Sequence, residues 1–194
     1  MATSSATDAL RMYVNDMVAL EKHILEAIER QVDDSRVKAR PEVFSLVEKL
    51  HRTLHLHVDA LENHAAALGG GGGATVKAAV TAVAGTFAGI YDKIRKDPVS
   101  RMLRDDYTAL SLATISYTML TTTGIAFREE TIAGLAERHL RDYTPIVVQL
   151  SEIIPPVVAD ELRDEDASID SQAGAEAVRR THKAWTHDVV EKPI

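Results

Sequence analysis

Residues 10–32 read LRMYVNDMVALEKHILEAIERQV. Leu10, Val14, Met17, Leu20, Ile24, Ile28 and Val32 recur every three or four residues, the spacing of one face of an α-helix. Glu21 falls inside that stripe. At about 100° per residue it lies about 40° from Met17, between Ile28 and Val14. A carboxylate aimed at a core costs on the order of several kcal/mol unless something neutralises it. The first segment, about Ser5 to Gln31, is therefore an amphipathic helix with one acid on its apolar side.

The same period continues along the chain. Pro41 suits the first turn of a second helix that reaches Leu68, with Phe44, Val47, Leu50, Leu54, Val58, Leu61, Ala65 and Leu68 as its stripe. The run Gly69–Gly73 stops it. No Lys-Ser or Lys-Thr follows, so the run reads as a surface turn and not as a phosphate cradle. Residues 74–96, with Val76, Val80, Val83, Phe87, Ile90 and Ile94, read as a shorter crossover helix. Asp97-Pro98 opens a third long helix, to about Ala126. A fourth runs from Arg128 towards Glu152, with a kink or restart expected at Thr144-Pro145 and an end at Pro155-Pro156. Residues 163–174 are polar, and a last amphipathic helix is expected over Glu176–Asp188, with Val178, His182, Trp185 and Val189 on one side. No strand pattern interrupts this order. Four long helices with a crossover between the second and third predict an all-α, ferritin-like four-helix bundle over residues 5–160. Residues 161–194 then form a polar linker and a short C-terminal helical extension.

At 194 residues, 45% hydrophobic and 26% charged, the chain suits one soluble domain. A net charge of −7 argues against a nucleic-acid partner. The absence of cysteine excludes disulfides and thiolate metal sites, and it fits a cytoplasmic location. Met1–Asp8 lacks the basic and apolar regions of a signal peptide. Tyr107–Phe127 carries no charge and is about as long as a membrane span. It also holds six Thr and two Ser, and both flanks are of mixed charge. A helix buried in protein on most sides, with no membrane, is the expectation.

Three polar residues carry the candidate chemistry: Glu21, His57 and His139. His139 lies near the centre of the face made by Ile132, Leu135, Tyr143, Ile146 and Leu150. His57 sits about 60° off the axis of Leu54 and Leu61, a boundary position. A two-metal carboxylate bundle needs a Glu from each of two helices and a Glu-x-x-His pair from each of the others. Here Leu54 and Ala136 stand three before the histidines, and Thr114, Ile115, Ser116 and Tyr117 occupy the third helix where a Glu is wanted. Two His and one carboxylate suit a single Fe, Mn or Zn ion with water completing the shell. Asp142, and Asp106 or Tyr107, are candidate auxiliaries. A second group, His51, His55, Asp59 and Glu62, lies on a face expected to be solvated. Its His pair four apart can share a divalent metal, although no matching ligand is evident elsewhere. No organic cofactor fingerprint and no nucleophile–base pair is present.

Ala19-Leu20-Glu21-Lys22-His23-Ile24-Leu25 resembles the first-helix motif of the YciE/YciF-like ferritin-like stress proteins. Ala60-Leu61-Glu62-Asn63-His64-Ala65-Ala66-Ala67-Leu68-Gly69 is similar to the close of that family's second helix. The Tyr117 region and Leu135-Ala136-Glu137-Arg138-His139 match its third and fourth in placement. The likeness spans residues 8–160. It implies a ferritin-like bundle with an extra short helix, a homodimer and a metal centre in the bundle. Glu21 and His57 map onto ligand-like positions, while the family's second- and third-helix carboxylates are replaced by Thr53 and Ile115. That departure points away from oxidase or iron-storage chemistry. It leaves two expectations, a bundle with a reduced metal site or a non-catalytic dimeric scaffold.

Overall fold

Residues 4–69 and 98–185 are described by the computed structural model, and among them there are six helices and no strand. They are α1 (Ser4–Val32), α2 (Ser35–Lys38), α3 (Pro41–Ala67), α4 (Val99–Phe127), α5 (Glu130–Glu165) and α6 (Ala173–Trp185). The crossover helix expected at 74–96, most of the glycine run, and the chain beyond Trp185 lie outside the described residues. The four long helices form an all-α bundle.

Pairings across the helices fix their directions. Lys22 with Glu62, and Glu29 with His55, run α1 against α3. Glu21 with Tyr117, and Gln31 with Asp106, run α1 against α4. Lys49 with Gln149, and His57 with Asp142, run α3 against α5. The order is thus up-down-down-up, with α3 and α4 parallel across the diagonal. At 1.5 Å per residue, the end of α3 and the start of α4 lie about 30 Å apart along the bundle. A short hairpin cannot span that distance, and the connecting residues 70–97 lie outside the described ones.

Local chemistry explains the remaining joints. Asp34 caps α2 by accepting from the Arg36 backbone N–H at 2.8 Å, while Val37 is fully buried beneath it. Pro41 occupies the first turn of α3, where its missing N–H has no intrahelical partner to lose. At the α4–α5 turn Arg128 adopts a left-handed conformation (φ 61°), and Glu129 N–H returns to Gly124 O at 2.8 Å. A side chain at Gly124 would stand 2.8 Å from the Ala133 nitrogen, so the two helices approach here on bare backbone.

Two expectations are corrected. Neither Pro145 nor Pro155-Pro156 ends the fourth long helix, which runs unbroken to Glu165. Pro145 is exposed, so the carbonyl it leaves unpaired lies on the solvated side, and Thr144 bonds Leu140 O at 2.8 Å. The second correction concerns α4. It is long and apolar enough to cross a membrane, yet it buries one face only. Ala109, Leu110, Ala113, Tyr117 and Leu120 point inward, while Leu112, Ile115 and Met119 are exposed. Within it Thr108, Thr118, Thr121, Thr122 and Thr123 each donate to the carbonyl four residues back, so their hydroxyls are satisfied inside the helix.

Helix α6 docks on the double-proline turn of α5. A Cβ at Gly174 would lie 2.6 Å from Pro156 Cα. Trp185, the chain's single tryptophan, stands 6.3 Å from the Tyr107 ring. Gly174→Ala should therefore displace α6 and cost about 1–3 kcal/mol, as overpacking does. The expected readouts are a lower melting temperature and stronger acrylamide quenching of Trp185; unchanged quenching would disprove the docking.

Candidate metal centre

Each long helix sends a side chain to one point near mid-bundle. Glu21 of α1 is fully buried, His57 of α3 is 2% exposed and His139 of α5 is 5% exposed. One ligand atom from each lies within 4.8 Å of the others. The three residues singled out in the sequence thus meet. Helix α4 contributes Tyr117 and α5 adds Tyr143, both fully buried.

The tyrosines hold the carboxylate. Tyr117 OH donates to Glu21 Oε1 at 2.6 Å, and Tyr143 OH donates to Glu21 Oε2. Burial and the nearby negative charge of Glu21 raise both phenol pKa values well above the ordinary range, so each keeps its proton. Tyr117 has one proton, directed at Glu21. At its 2.8 Å contact with His139 Nδ1 the ring must therefore donate. That fixes the His139 tautomer with its lone pair on Nε2. Burial, with smaller contributions from His57, Arg138 and His64, lowers the His139 pKa to about 3. The ring is neutral at physiological pH, the form in which imidazole binds metals.

His57 is fixed from the other side. Its Nε2 lies 3.2 Å from Asp142 Oδ2, a carboxylate that is 58% exposed. With Nε2–H donating there, neutral His57 carries its lone pair on Nδ1. That atom is buried, has no hydrogen-bond partner among the protein groups, and faces Glu21 Oε1 at 3.7 Å. The distance is too long for a hydrogen bond. The two imidazoles stack with centroids 3.7 Å apart and planes 1° from parallel. A lone pair facing a carboxylate across that gap is repulsive unless a positive charge lies between them. Each histidine also anchors its second nitrogen, to Asp142 or to Tyr117. That is the outer-shell arrangement of metal-bound imidazoles. The residues present fit a metal ion.

Other expectations separate here. Asp142 joins the cluster. Asp106 does not, for its Oδ1 accepts from Gln31 Nε2 at 2.7 Å, some ten residues along α1. Tyr107 is half-buried beside Trp185 and also stands apart. His57 is not at a boundary, because α3 packs against both α1 and α5 and its buried arc is wide. Ile115 is 55% exposed, so the inward position of α4 belongs to Tyr117. Leu54 and Ala136 are fully buried, placing apolar groups where a second metal's carboxylates would stand. The tyrosine pair was missed as a carboxylate clamp. Its signal was Tyr143 four residues after His139 on the same face.

No protein-family model, curated protein or solved structure matches the chain. Fold and cluster together define an all-α helical bundle with a buried two-histidine, one-carboxylate cluster that could hold a metal ion.

The phenol clamp is testable. Tyr143→Phe in chelator-treated protein should cost about 1–3 kcal/mol, because it leaves a buried carboxylate short of a donor. In a Glu21→Gln background the same change should cost less. Equal losses in urea melts of both backgrounds would show that Tyr143 does not act on Glu21.

Proposed function

We propose that the protein is a ferritin-like bundle holding a single first-row divalent ion, Fe, Mn or Zn, on Glu21, His57 and His139. The observation that carries this reading is the unpartnered His57 Nδ1 facing Glu21 Oε1 at 3.7 Å. Two histidines and one carboxylate form a facial ligand set, which leaves coordination positions for exchangeable ligands. The protein's own groups set the rest. Asp142 and Tyr117 hold the imidazole tautomers, the two phenols hold the carboxylate, and Leu54 and Ala136 give a second ion no carboxylate. The up-down-down-up order of the four long helices supports the ferritin-like architecture. The stress association implied by the family resemblance, and the cytoplasmic location that the absence of cysteine fits, belong to the same reading.

A second reading has its own support. His57 lies between two carboxylates, Glu21 at 3.7 Å and Asp142 at 3.2 Å, so an imidazolium there would neutralise Glu21 without an ion. The protein would then be a metal-free scaffold. Elemental analysis of untagged protein separates the two. The metal reading expects close to one equivalent per chain, abolished by Glu21→Ala and by His57→Ala. Metal-free protein of full stability, in which Glu21→Leu is neutral or stabilising, would establish the scaffold instead.

We further propose a homodimer through the outward face of α4, where Leu112, Ile115 and Met119 repeat at helical spacing and are exposed. Ile115→Lys should convert a dimeric mass to a monomeric one in light scattering without changing helicity. A monomeric wild-type protein would exclude this interface.

A further inference from the structure

A second cluster of ligand atoms lies on the surface between α1 and α3, away from the core centre. His51 and His55, one turn apart on α3, bring their Nε2 atoms to 3.1 Å, with the rings edge to face at 89° and centroids 4.5 Å apart. Glu29 of α1 places Oε1 4.0 Å from His55 Nε2. One atom from each residue lies within 4.8 Å of the others. The sequence placed Asp59 and Glu62 with this His pair. Instead Glu62 pairs with Lys22, Asp59 is not in the cluster, and the matching ligand comes from the neighbouring helix.

We propose that Glu29, His51 and His55 form a second metal site, which takes Zn²⁺ and ties α1 to α3. The separations of the ligand atoms are close to those of a loaded site. Zinc binds imidazole nitrogen at about 2.0–2.1 Å, so two tetrahedral nitrogen ligands stand about 3.3 Å apart. The 3.1 Å separation needs an adjustment of a few tenths of an ångström. Bringing the Glu29 oxygen from 4.0 Å to a similar spacing needs only a small rotation of a half-exposed side chain. A hydrogen bond between two water-accessible imidazoles contributes little, since each exchanges for water. Nitrogen-rich ligation selects zinc-like ions over magnesium or calcium. Half of the Glu29 and His55 side-chain surface is open, so water completes the shell and the ion exchanges freely. The site differs in kind from the core centre, whose ligands are buried before any ion arrives. It requires no particular state of Glu21.

Zinc chloride titrated by calorimetry into chelator-stripped, untagged full-length chain tests this. His51→Ala and His55→Ala should each remove one zinc equivalent. Glu29→Gln should weaken that equivalent at least about tenfold, the loss that removal of even an outer-shell partner can cause. The zinc-induced rise in melting temperature should fall in all three variants. All three residues are at least partly exposed, so the folds should survive, and circular dichroism checks this. If wild-type protein takes one equivalent only, and these changes abolish it, this site stands while the core reading fails. If zinc uptake is unchanged in the His51→Ala/His55→Ala double variant, or unchanged in affinity in Glu29→Gln, the proposal is overturned.

Discussion

A carboxylate held by two phenols at the centre of a helical bundle sets the terms for the rest of the molecule. Glu21 has no exposed surface, and an isolated buried charge is among the costliest features a core can contain. Tyr117 and Tyr143 supply hydrogen bonds but no charge. Their donors come from two different helices, so the carboxylate locks α1, α4 and α5 into one axial register. Sliding α1 by a turn would leave the anion without donors, and sliding α4 or α5 would remove one of the two. The direction of α4 against α1 takes a second contact, Gln31 with Asp106 ten residues further along α1, which together with Tyr117 and Glu21 sets the two helices antiparallel.

Proton bookkeeping then propagates outward from Glu21. Tyr117 keeps its proton and donates that hydrogen bond to the carboxylate, so His139 must donate to Tyr117 and turn its lone pair elsewhere. Asp142 accepts a hydrogen bond from His57 Nε2–H, so the other lone pair faces inward. Neither tautomer is free to vary, and both follow from residues outside the two-histidine, one-carboxylate set. This is why the cluster behaves as a unit, and why changing one tyrosine should disturb groups it does not touch.

Much of this was legible in the chain. The period of residues 10–32 and Glu21 inside it led to the helix and to its buried acid, because amphipathicity is a local property. His139 was found the same way. The position of His57 was misjudged because a single helix wheel counts one buried arc, whereas α3 faces two neighbours. The prolines misled for a related reason. A local rule says they end helices, but the rule weakens where the freed carbonyl is solvated, as at Pro145, or where another segment packs on the turn, as α6 does through Gly174. The tyrosine clamp and the partnership of Glu29 with His55 depend on contacts between residues distant in sequence, which no spacing within one helix encodes.

Which positive charge faces Glu21 decides how the core is read. His139 is held neutral with a pKa of about 3, so it cannot be the counter-charge near neutral pH. That leaves a proton on His57 or an ion beside it. A proton on Nδ1 would draw the ring towards Glu21 until the two heavy atoms met at a charge-assisted hydrogen-bond length of about 2.7–2.9 Å. The observed separation is 3.7 Å. An ion between them, with metal–ligand bonds of about 2.0–2.2 Å on each side, requires a wider gap than a proton does. The cluster thus leaves nearly 1 Å more than a shared proton needs, room that could hold a metal ion.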